Sequence, residues 1–189
     1  MNPSRLIDQL NSLGVYFLRG NSLSPAMPLD STTFLSALAN SDEARLRLAL
    51  IPLLLRCPDV AEYAPIVAFQ LSQSAQVLFI CYYTAAMLLQ QKYRSRLENL
   101  IELSAPLSDH FSAELGLLPH QNPETDLRLL GEQQKRLSGQ SLNWYGTYHH
   151  AAERFIIHLE RRKLWTISTR FHRSALCIPK ESYVNQNCR

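Results

Sequence analysis

The sequence predicts an all-α fold: a single-domain bundle of about seven helices, followed by a short irregular or β-hairpin C-terminal tail. Three observations predict this class. Only 6 of the 189 residues are glycine, which is few for a β-rich protein with many tight turns. Leucine dominates the apolar residues, and leucine favours helices over strands. Residues 72–104 contain neither glycine nor proline, which is typical of a long uninterrupted helix.

The first predicted elements are short. Ser4 can cap a helix that Gly14 ends. The apolar residues 15–18 that follow form either a strand or a buried loop, and residues 20–30 form a loop rich in turn formers. A second short helix is predicted over residues 31–39.

Prolines shape the next part of the chain. Ser41, Asp42 and Glu43 open a helix, with the two acids at the end where the helix dipole favours negative charge. Pro52 removes a backbone donor inside this helix, so a kink or a break is predicted there. A further helix is predicted over residues 59–71, with a disturbance at Pro65.

The stretch that lacks glycine and proline is the predicted central helix. Its residues 77–89 are apolar on nearly all sides, which places this half in the centre of the bundle. The apolar run is shorter than the roughly 20 residues that a membrane-spanning helix needs, so no membrane span is predicted. Pro106 starts another short helix, which Gly116 ends.

Two amphipathic helices are predicted near the C-terminus, over residues 124–137 and 142–164. The second is the other long member of the bundle. Residues 165–189 lack helical periodicity and form the predicted tail. The predicted organisation is therefore a helical bundle domain at residues 1–164 and a basic C-terminal tail at residues 165–189.

The charges are distributed unevenly along the chain. Residues 1–132 contain 9 Lys or Arg and 13 Asp or Glu, whereas residues 133–189 contain 10 and 3. The net charge of +3 therefore combines −4 in the first part with +7 in the second. A cationic surface attracts nucleic-acid phosphates or acidic proteins. The candidate nucleic-acid-binding residues are Arg154, Arg161, Arg162, Lys163, Arg170 and Arg173.

The alternative interpretation of these charges is a solvated helix end. Arg161, Arg162 and Lys163 suit the negative end of the helix dipole without any ligand. Aromatic residues lie between the charges, as base stacking would require. They equally suit a tail anchored to the core, so both interpretations stay open.

Cysteine usage and motif content indicate a cytoplasmic protein with a non-enzymatic role. The four cysteines form no CxxC pair, and no secretory signal is visible, so reduced thiols in a cytoplasm are expected. The spacing of zinc ligands is absent, and no metal is predicted. The GxxxxGK[ST], GxGxxG and GxSxG motifs are also absent, so no cofactor is predicted.

Two histidine-containing helix faces are the strongest candidates for chemistry. They comprise His149 with Glu153, and His150 with Arg154 and His158. A metal site would need a further ligand, for which Asp109 or His110 is available, and the HExxH order is absent. Surface histidines with an ion pair are therefore the preferred interpretation.

Arg154 and His158 also resemble the catalytic pair of helical RNases of the HEPN class. That pair is an Arg and a His separated by four to six residues at a dimer cleft. Here only three residues separate them, and Phe155 stands where a polar residue is usual. The resemblance implies RNA cleavage, which is the least favoured of the functions considered.

Three stretches carry a second resemblance: residues 41–58 (SDEARLRLALIPLLLRCP), residues 82–86 (YYTAA) and residues 93–97 (YRSRL). They resemble helical bacterial proteins encoded beside small nucleotidyltransferases, in pairs of toxin–antitoxin or defence type. The resemblance covers about residues 40–160. It implies a non-enzymatic helical partner protein of antitoxin or regulatory type, with a nucleotidyltransferase as the suggested partner. A homo-oligomer is left open.

The predicted contact residues lie along the central helix. Successive tyrosines point about 100° apart on a helix, so two neighbours cannot share one apolar face. One is predicted to pack in the core with its hydroxyl bonded while the other reaches a groove; alternatively, both hydroxyls lie at the edge of the bundle. Further along, an aromatic centre with a cationic rim suits a binding surface. The predicted partner-binding residues are Tyr82, Tyr83, Tyr93, Arg94 and Arg96.

Overall fold

A computed structural model of the chain describes residues 2–16, 27–101, 105–118 and 122–175, with side chains up to residue 165. These residues form helices joined by turns and contain no strand, which confirms the predicted all-α class. None of the helices in these ranges is long and apolar enough to cross a membrane.

The first two helices are α1 (Pro3–Ser12) and α2 (Ser31–Ala39). Both confirm the predicted elements, although each begins at a cap one or two residues earlier than expected. The side chain of Asn2 accepts a hydrogen bond from the backbone N–H of Ser4, and Asp30 caps α2 through Thr33. Gly14 follows α1 with a φ of 80°, a conformation that favours glycine.

Four short elements follow: α3 (Ala44–Leu48), α4 (Leu50–Arg56), a 3-10 helix (Pro58–Tyr63) and α5 (Ala64–Gln70). The separation of α3 from α4 confirms the predicted break, because Pro52 has no N–H to donate to the carbonyl oxygen of Leu48. Pro65 lies in the first turn of α5 and separates it from the 3-10 helix, as expected for the second disturbance.

The central helix is α6 (Gln73–Lys92), and it contacts α2, α4, α5 and the helices over residues 123–138 and 144–175. Every residue from 79 to 90 is buried. The prediction that this half lies in the centre of the bundle is therefore confirmed.

The end of the central helix differs from the prediction, which extended it to residue 104. Helix α6 ends at Lys92, and Tyr93 turns the chain with φ −100° and ψ 16° before the short helix α7 (Arg94–Glu98). No glycine or proline marks this turn. Tyr93 is buried, and its hydroxyl donates to Oε1 of Glu153 at 3.1 Å, so long-range contacts stabilise the turn.

Residues 105–118 form turns and lack the helix that was predicted to start at Pro106. Side chains of α6 form hydrogen bonds with the backbone of this segment, in place of the bonds that a helix would make. Gln90 accepts a hydrogen bond from the N–H of Leu107 at 2.7 Å, and Tyr83 donates to the carbonyl oxygen of Ser108 at 2.9 Å. These bonds hold the segment against the central helix without local helical structure.

The last two helices are α8 (Pro123–Ser138) and α9 (Trp144–Ala175). Gly139 ends α8 with a φ of 66°. Helix α9 continues past residue 164, where an irregular or hairpin tail was predicted, and this corrects the boundary. Residues 165–175 contain no glycine or proline, so nothing in them interrupts the helix. Residues 176–189 lie outside the described part of the chain.

Candidate functional site

The two neighbouring tyrosines of the predicted partner surface are both buried in the bundle. Tyr82 is 4% exposed and Tyr83 is 1% exposed, and burial raises the pKa of each to about 12. The ring of Tyr82 packs edge-to-face on Trp144 and Tyr148, with centroids 6.5 and 6.2 Å apart. Neither ring lies on an open surface of the isolated chain.

Phenylalanine substitutions at these two positions are expected to differ in effect. Tyr83→Phe removes the hydrogen bond to Ser108, so it should lower the free energy of unfolding by about 1 kcal/mol. Tyr82→Phe keeps the edge-to-face ring contacts and should have the smaller effect. Urea unfolding of both variants measures the difference. A larger loss for Tyr82→Phe than for Tyr83→Phe would contradict the assignment.

The basic rim predicted around Tyr93 is engaged within the chain. Arg94 pairs with Glu98 on α7 at 2.8 Å, and Arg96 pairs with Glu160 on α9 at 2.9 Å. The Arg96 guanidinium also lies 5.6 Å from the centre of the Tyr93 ring. The Arg96–Glu160 pair joins α7 to α9, and both arginines stay exposed at the surface.

A polar cluster connects the end of α6, the start of α8 and the start of α9; we call it the Glu124 cluster. Glu124 accepts hydrogen bonds from Lys92 at 2.6 Å and from the Tyr145 hydroxyl. His149 lies beside them, with Nε2 3.6 Å from the Glu124 carboxylate and Nδ1 3.2 Å from the Tyr93 hydroxyl. The sequence identified His149 as a candidate, but these contacts give it a role in joining three helices.

The Glu124 cluster should make the free energy of unfolding depend on pH in the acidic range. Hydrogen bonds from Lys92 and Tyr145 lower the pKa of Glu124 from 4.5 to about 2. A carboxylate with a lowered pKa stabilises the fold above its ordinary pKa and loses that contribution as the pH falls from about 4.5 to 2. The difference in unfolding free energy between wild type and Glu124→Gln should therefore be largest near neutral pH and shrink over this range.

Urea unfolding at several pH values between neutral and acid tests this dependence. Glu98→Gln is the matched control, because Glu98 also pairs with a basic side chain but lies on the exposed surface of α7. If the difference in unfolding free energy between Glu124→Gln and wild type stayed constant down to the lowest pH, the role of this carboxylate would be refuted.

The residues considered for a metal site do not come together. Asp109 accepts a hydrogen bond from the backbone of Ser112 at 3.0 Å, and His110 packs against the ring of Tyr83 with centroids 5.7 Å apart. The described ranges hold no group of three or more His, Cys, Asp or Glu side chains that could bind a metal ion.

Helix α9 carries a mixed basic and apolar surface beyond the bundle. Ile156 is the last buried residue among its described side chains. On the side away from the core, five residues fall within an arc of about 100° at helical spacing. We call this surface the outer face of α9: Arg154, Ile157, Arg161, Leu164 and Trp165. Leu164 is 68% exposed and Trp165 is 73% exposed.

Two grooves flank this part of α9. One has a volume of about 310 Å³ and is lined by Tyr16, Arg154, Phe155, Ile157, His158 and Arg161. The other, of about 560 Å³, includes Arg56, Arg162 and Lys163 in its lining, with Glu98 as its acidic residue. The basic side chains of both grooves give this end of the molecule a cationic surface.

Tyr16 connects the N-terminal part of the chain to this surface. Its ring lies 5.2 Å from the ring of His158 and 4.6 Å from the Arg162 guanidinium. Burial, together with repulsion from Arg162 and Arg161, lowers the pKa of His158. The Nε2 atom of His158 is buried without a hydrogen-bond partner among the described residues.

The predicted nucleic-acid-binding residues are only partly available to a ligand. Lys163 donates to the carbonyl oxygen of Asn99, and Arg162 covers Tyr16. Arg170 and Arg173 belong to the last turns of α9, and their side chains lie outside the described part. Arg161 is exposed on the outer face of α9.

Sequence reasoning missed Tyr16 and Arg56 as members of this surface. Both lie far before α9 in the chain, and no local pattern signals a contact across that separation. Comparison with protein families, with curated proteins and with solved structures finds no match for this chain.

Proposed function

We propose that this chain is a non-enzymatic helical partner protein of antitoxin or regulatory type, which binds another protein through the outer face of α9. The observation that carries the proposal is the exposure of Leu164 and Trp165 among arginines on a helix that continues past the buried bundle. Tryptophan and arginine are among the residues most enriched where binding energy concentrates in protein interfaces.

The charges of this surface indicate the partner's chemistry. Arg154 and Arg161 flank the apolar side chains, so the complementary surface is an apolar groove with an acidic rim. The resemblance of residues 40–160 to proteins encoded beside small nucleotidyltransferases makes such an enzyme the first partner to test.

Pull-down with the proteins encoded beside its gene, followed by titration calorimetry on the complex, tests the proposal. Trp165→Ala should weaken binding at least about 30-fold, which corresponds to the loss of one interface hot spot of about 2 kcal/mol. Arg161→Glu should slow association and reduce its salt dependence. Phe69→Ala is the matched control, because Phe69 is 89% exposed on α5, away from this helix.

Failure to form a complex with any of these proteins would count against the proposal. So would a complex that Trp165→Ala and Arg161→Glu leave intact but Phe69→Ala disrupts. That second outcome would place the interface on α5.

Nucleic-acid binding is the second candidate, and the two basic grooves beside Tyr16 favour it. An aromatic ring among cations suits a single strand, whose bases stack while its phosphates pair with arginine. We place it second because Arg162 and Lys163 already contact this chain, and because Leu164 and Trp165 expose more apolar surface than phosphate contacts require.

Labelled single-stranded RNA and DNA, titrated at several salt concentrations, separate the two candidates. If nucleic acid is the partner, joint replacement of Arg161, Arg162 and Lys163 by Glu should weaken binding. The salt slope should then fall by about 0.7 for each phosphate that no longer pairs with a basic side chain. If the triple variant binds nucleic acid with the same affinity and salt slope as wild type, the second candidate is eliminated.

A further inference from the structure

A second exposed apolar surface lies on α5 and on the 3-10 helix before it. Phe69 is 89% exposed, the highest value among the large apolar side chains of the described residues, and Ile66 is 54% exposed. The opposite side of α5, which includes Val67 and Ala68, is buried in the core. The exposed residues follow one another at helical spacing. We call this surface the α5 face: Asp59, Glu62, Tyr63, Ile66 and Phe69.

The α5 face is acidic where it begins and apolar where it ends. Asp59 and Glu62 lie in the 3-10 helix, whereas Ile66 and Phe69 lie in α5. Residues 57–91 contain no Lys or Arg, so every charge in this stretch of the chain is negative. Among the described residues, Glu62 has no ion-pair partner. An apolar surface with a basic rim would therefore complement the α5 face.

The outer face of α9 has this complementary composition. Its apolar residues Ile157, Leu164 and Trp165 lie on the same side of the helix as Arg154 and Arg161. Arg161 is exposed and has no ion-pair partner within the described part of the chain. Both faces repeat at intervals of three, four and three residues. Each is therefore a stripe about 16 Å long, so the two match in length as well as in charge.

Parallel packing of the two stripes brings their matching groups together. When Phe69 lies beside Trp165, Glu62 lies within about one helical turn of Arg161, a distance that an arginine side chain can span. The antiparallel arrangement would instead place the acids of the α5 face beside Trp165, where no cation faces them. Charge and length thus favour the parallel arrangement.

A single chain does not make this contact with itself. Phe69 and Trp165 are both exposed in the isolated chain. Helix α5 packs on α2 and α6, whereas α9 packs on α4, α6 and α8, and this packing fixes each face in its place. A contact between two different faces of identical chains is heterologous: each copy in it keeps one unused face, so assembly continues into a chain or closes into a ring.

We propose that the outer face of α9 of one copy binds the α5 face of a second copy, in a head-to-tail self-assembly. This assembly rests on the proposed function for the outer face of α9 and adds a regulation, because a copy whose outer face is occupied cannot bind the partner protein. Each face spans only about three helical turns, so self-association should be weak, as for interfaces below about 1,200 Å². At the low concentrations of a pull-down the chain is then monomeric, and Phe69→Ala remains a control for partner binding.

Mixing of two blocked variants tests the head-to-tail contact. Ile66→Asp with Phe69→Asp blocks the α5 face, and Arg161→Glu with Trp165→Asp blocks the outer face of α9; all four positions are exposed, so the fold should be kept. Sedimentation velocity from about 10 μM to about 1 mM, a range suited to weak interfaces, should show wild-type assemblies larger than a dimer. Each blocked variant alone should stay monomeric, whereas an equimolar mixture should form a dimer and nothing larger, because one intact face of each kind remains.

Charge reversal tests the pairing of Glu62 with Arg161. Glu62→Arg and Arg161→Glu should each weaken self-association at least about fivefold, because each brings two like charges together in the contact. A mixture of these two single variants should regain the wild-type affinity, since every contact between unlike chains then joins opposite charges. Glu132→Arg is the matched control, because it makes the same charge change at an exposed position of α8 and should leave self-association within about twofold of wild type.

Three outcomes would overturn the proposal: a wild-type chain that stays monomeric up to about 1 mM, assembly that persists in either blocked variant, or a mixture of the blocked variants that stays monomeric. Assembly that persists only when the α5 face is blocked would indicate a contact between two outer faces of α9. A partner protein bound through Trp165 by a chain that never self-associates would refute the self-assembly alone. Self-assembly as described, without any partner protein, would refute the proposed function alone.

Discussion

Replacing Tyr148 with alanine is expected to lower the free energy of unfolding by about 3–5 kcal/mol, the range for large aromatic residues in a core. Tyr148 is fully buried, and its ring packs edge-to-face on Tyr82. Its hydroxyl donates to Oε1 of Gln134, which is itself 1% exposed. A typical domain is stable by only about 5–15 kcal/mol, so urea unfolding should show a large shift of the midpoint.

Further variants separate the contribution of the Tyr148 ring to stability from that of its hydroxyl. Tyr148→Phe keeps the ring but leaves Gln134 without its donor, at a cost of about 1–3 kcal/mol. Adding Gln134→Met should recover most of that cost, because both polar partners are then replaced. Tyr63→Ala, at a residue 41% exposed, is the surface control and should change stability by about 0.5 kcal/mol or less. A Tyr148→Ala loss as small as this control would contradict the packing described.

Gly131→Val is the second substitution expected to have a large effect, with a loss of about 3 kcal/mol. Gly131 is buried where α8 approaches α9 closely, and a Cβ atom there would lie 3.0 Å from the backbone nitrogen of Tyr145. Backbone inside a helix cannot move aside locally, so the added side chain must push the two helices apart. Thermal and urea unfolding of the purified variant measure the loss.

The control for this substitution is the next residue along α8. Glu132 is exposed, so Glu132→Val should cost only the helix propensity of valine, about 0.5 kcal/mol. Gly131→Ala is informative too, because alanine favours a helix by about 1 kcal/mol over glycine and any net loss must come from the contact with α9. Equal losses for the two valine variants would show that α8 and α9 have room between them.

Features that depend on local chemistry could be predicted from the sequence. The break before Pro52 follows from a missing donor, and the burial of residues 79–90 follows from apolar residues on all sides of a helix. The end of α6 at Lys92 could not be predicted, because no breaker stands there and the turn depends on contacts of Tyr93 with α9. The absence of the helix predicted from Pro106 has the same cause, because long-range hydrogen bonds from side chains of α6 replace those of a helix there.

The candidate sites were harder to predict than the helices. Tyrosines in an apolar helix indicated a partner surface, but Tyr82 and Tyr83 pack in the core. The basic residues of α9 form a cluster that is visible in the sequence, whereas the exposure of Leu164 and Trp165 depends on where the bundle ends.

The continuity of α9 sets the direction in which its outer face points. Each helical residue turns the chain by about 100°, so the angle between the core-facing side and Trp165 depends on the number of residues between them. One residue inserted after Ile156 would rotate Leu164 and Trp165 a quarter turn or more around the axis while the bundle keeps its core packing. Seven inserted residues would nearly restore the direction and carry the surface about 10 Å farther from the bundle.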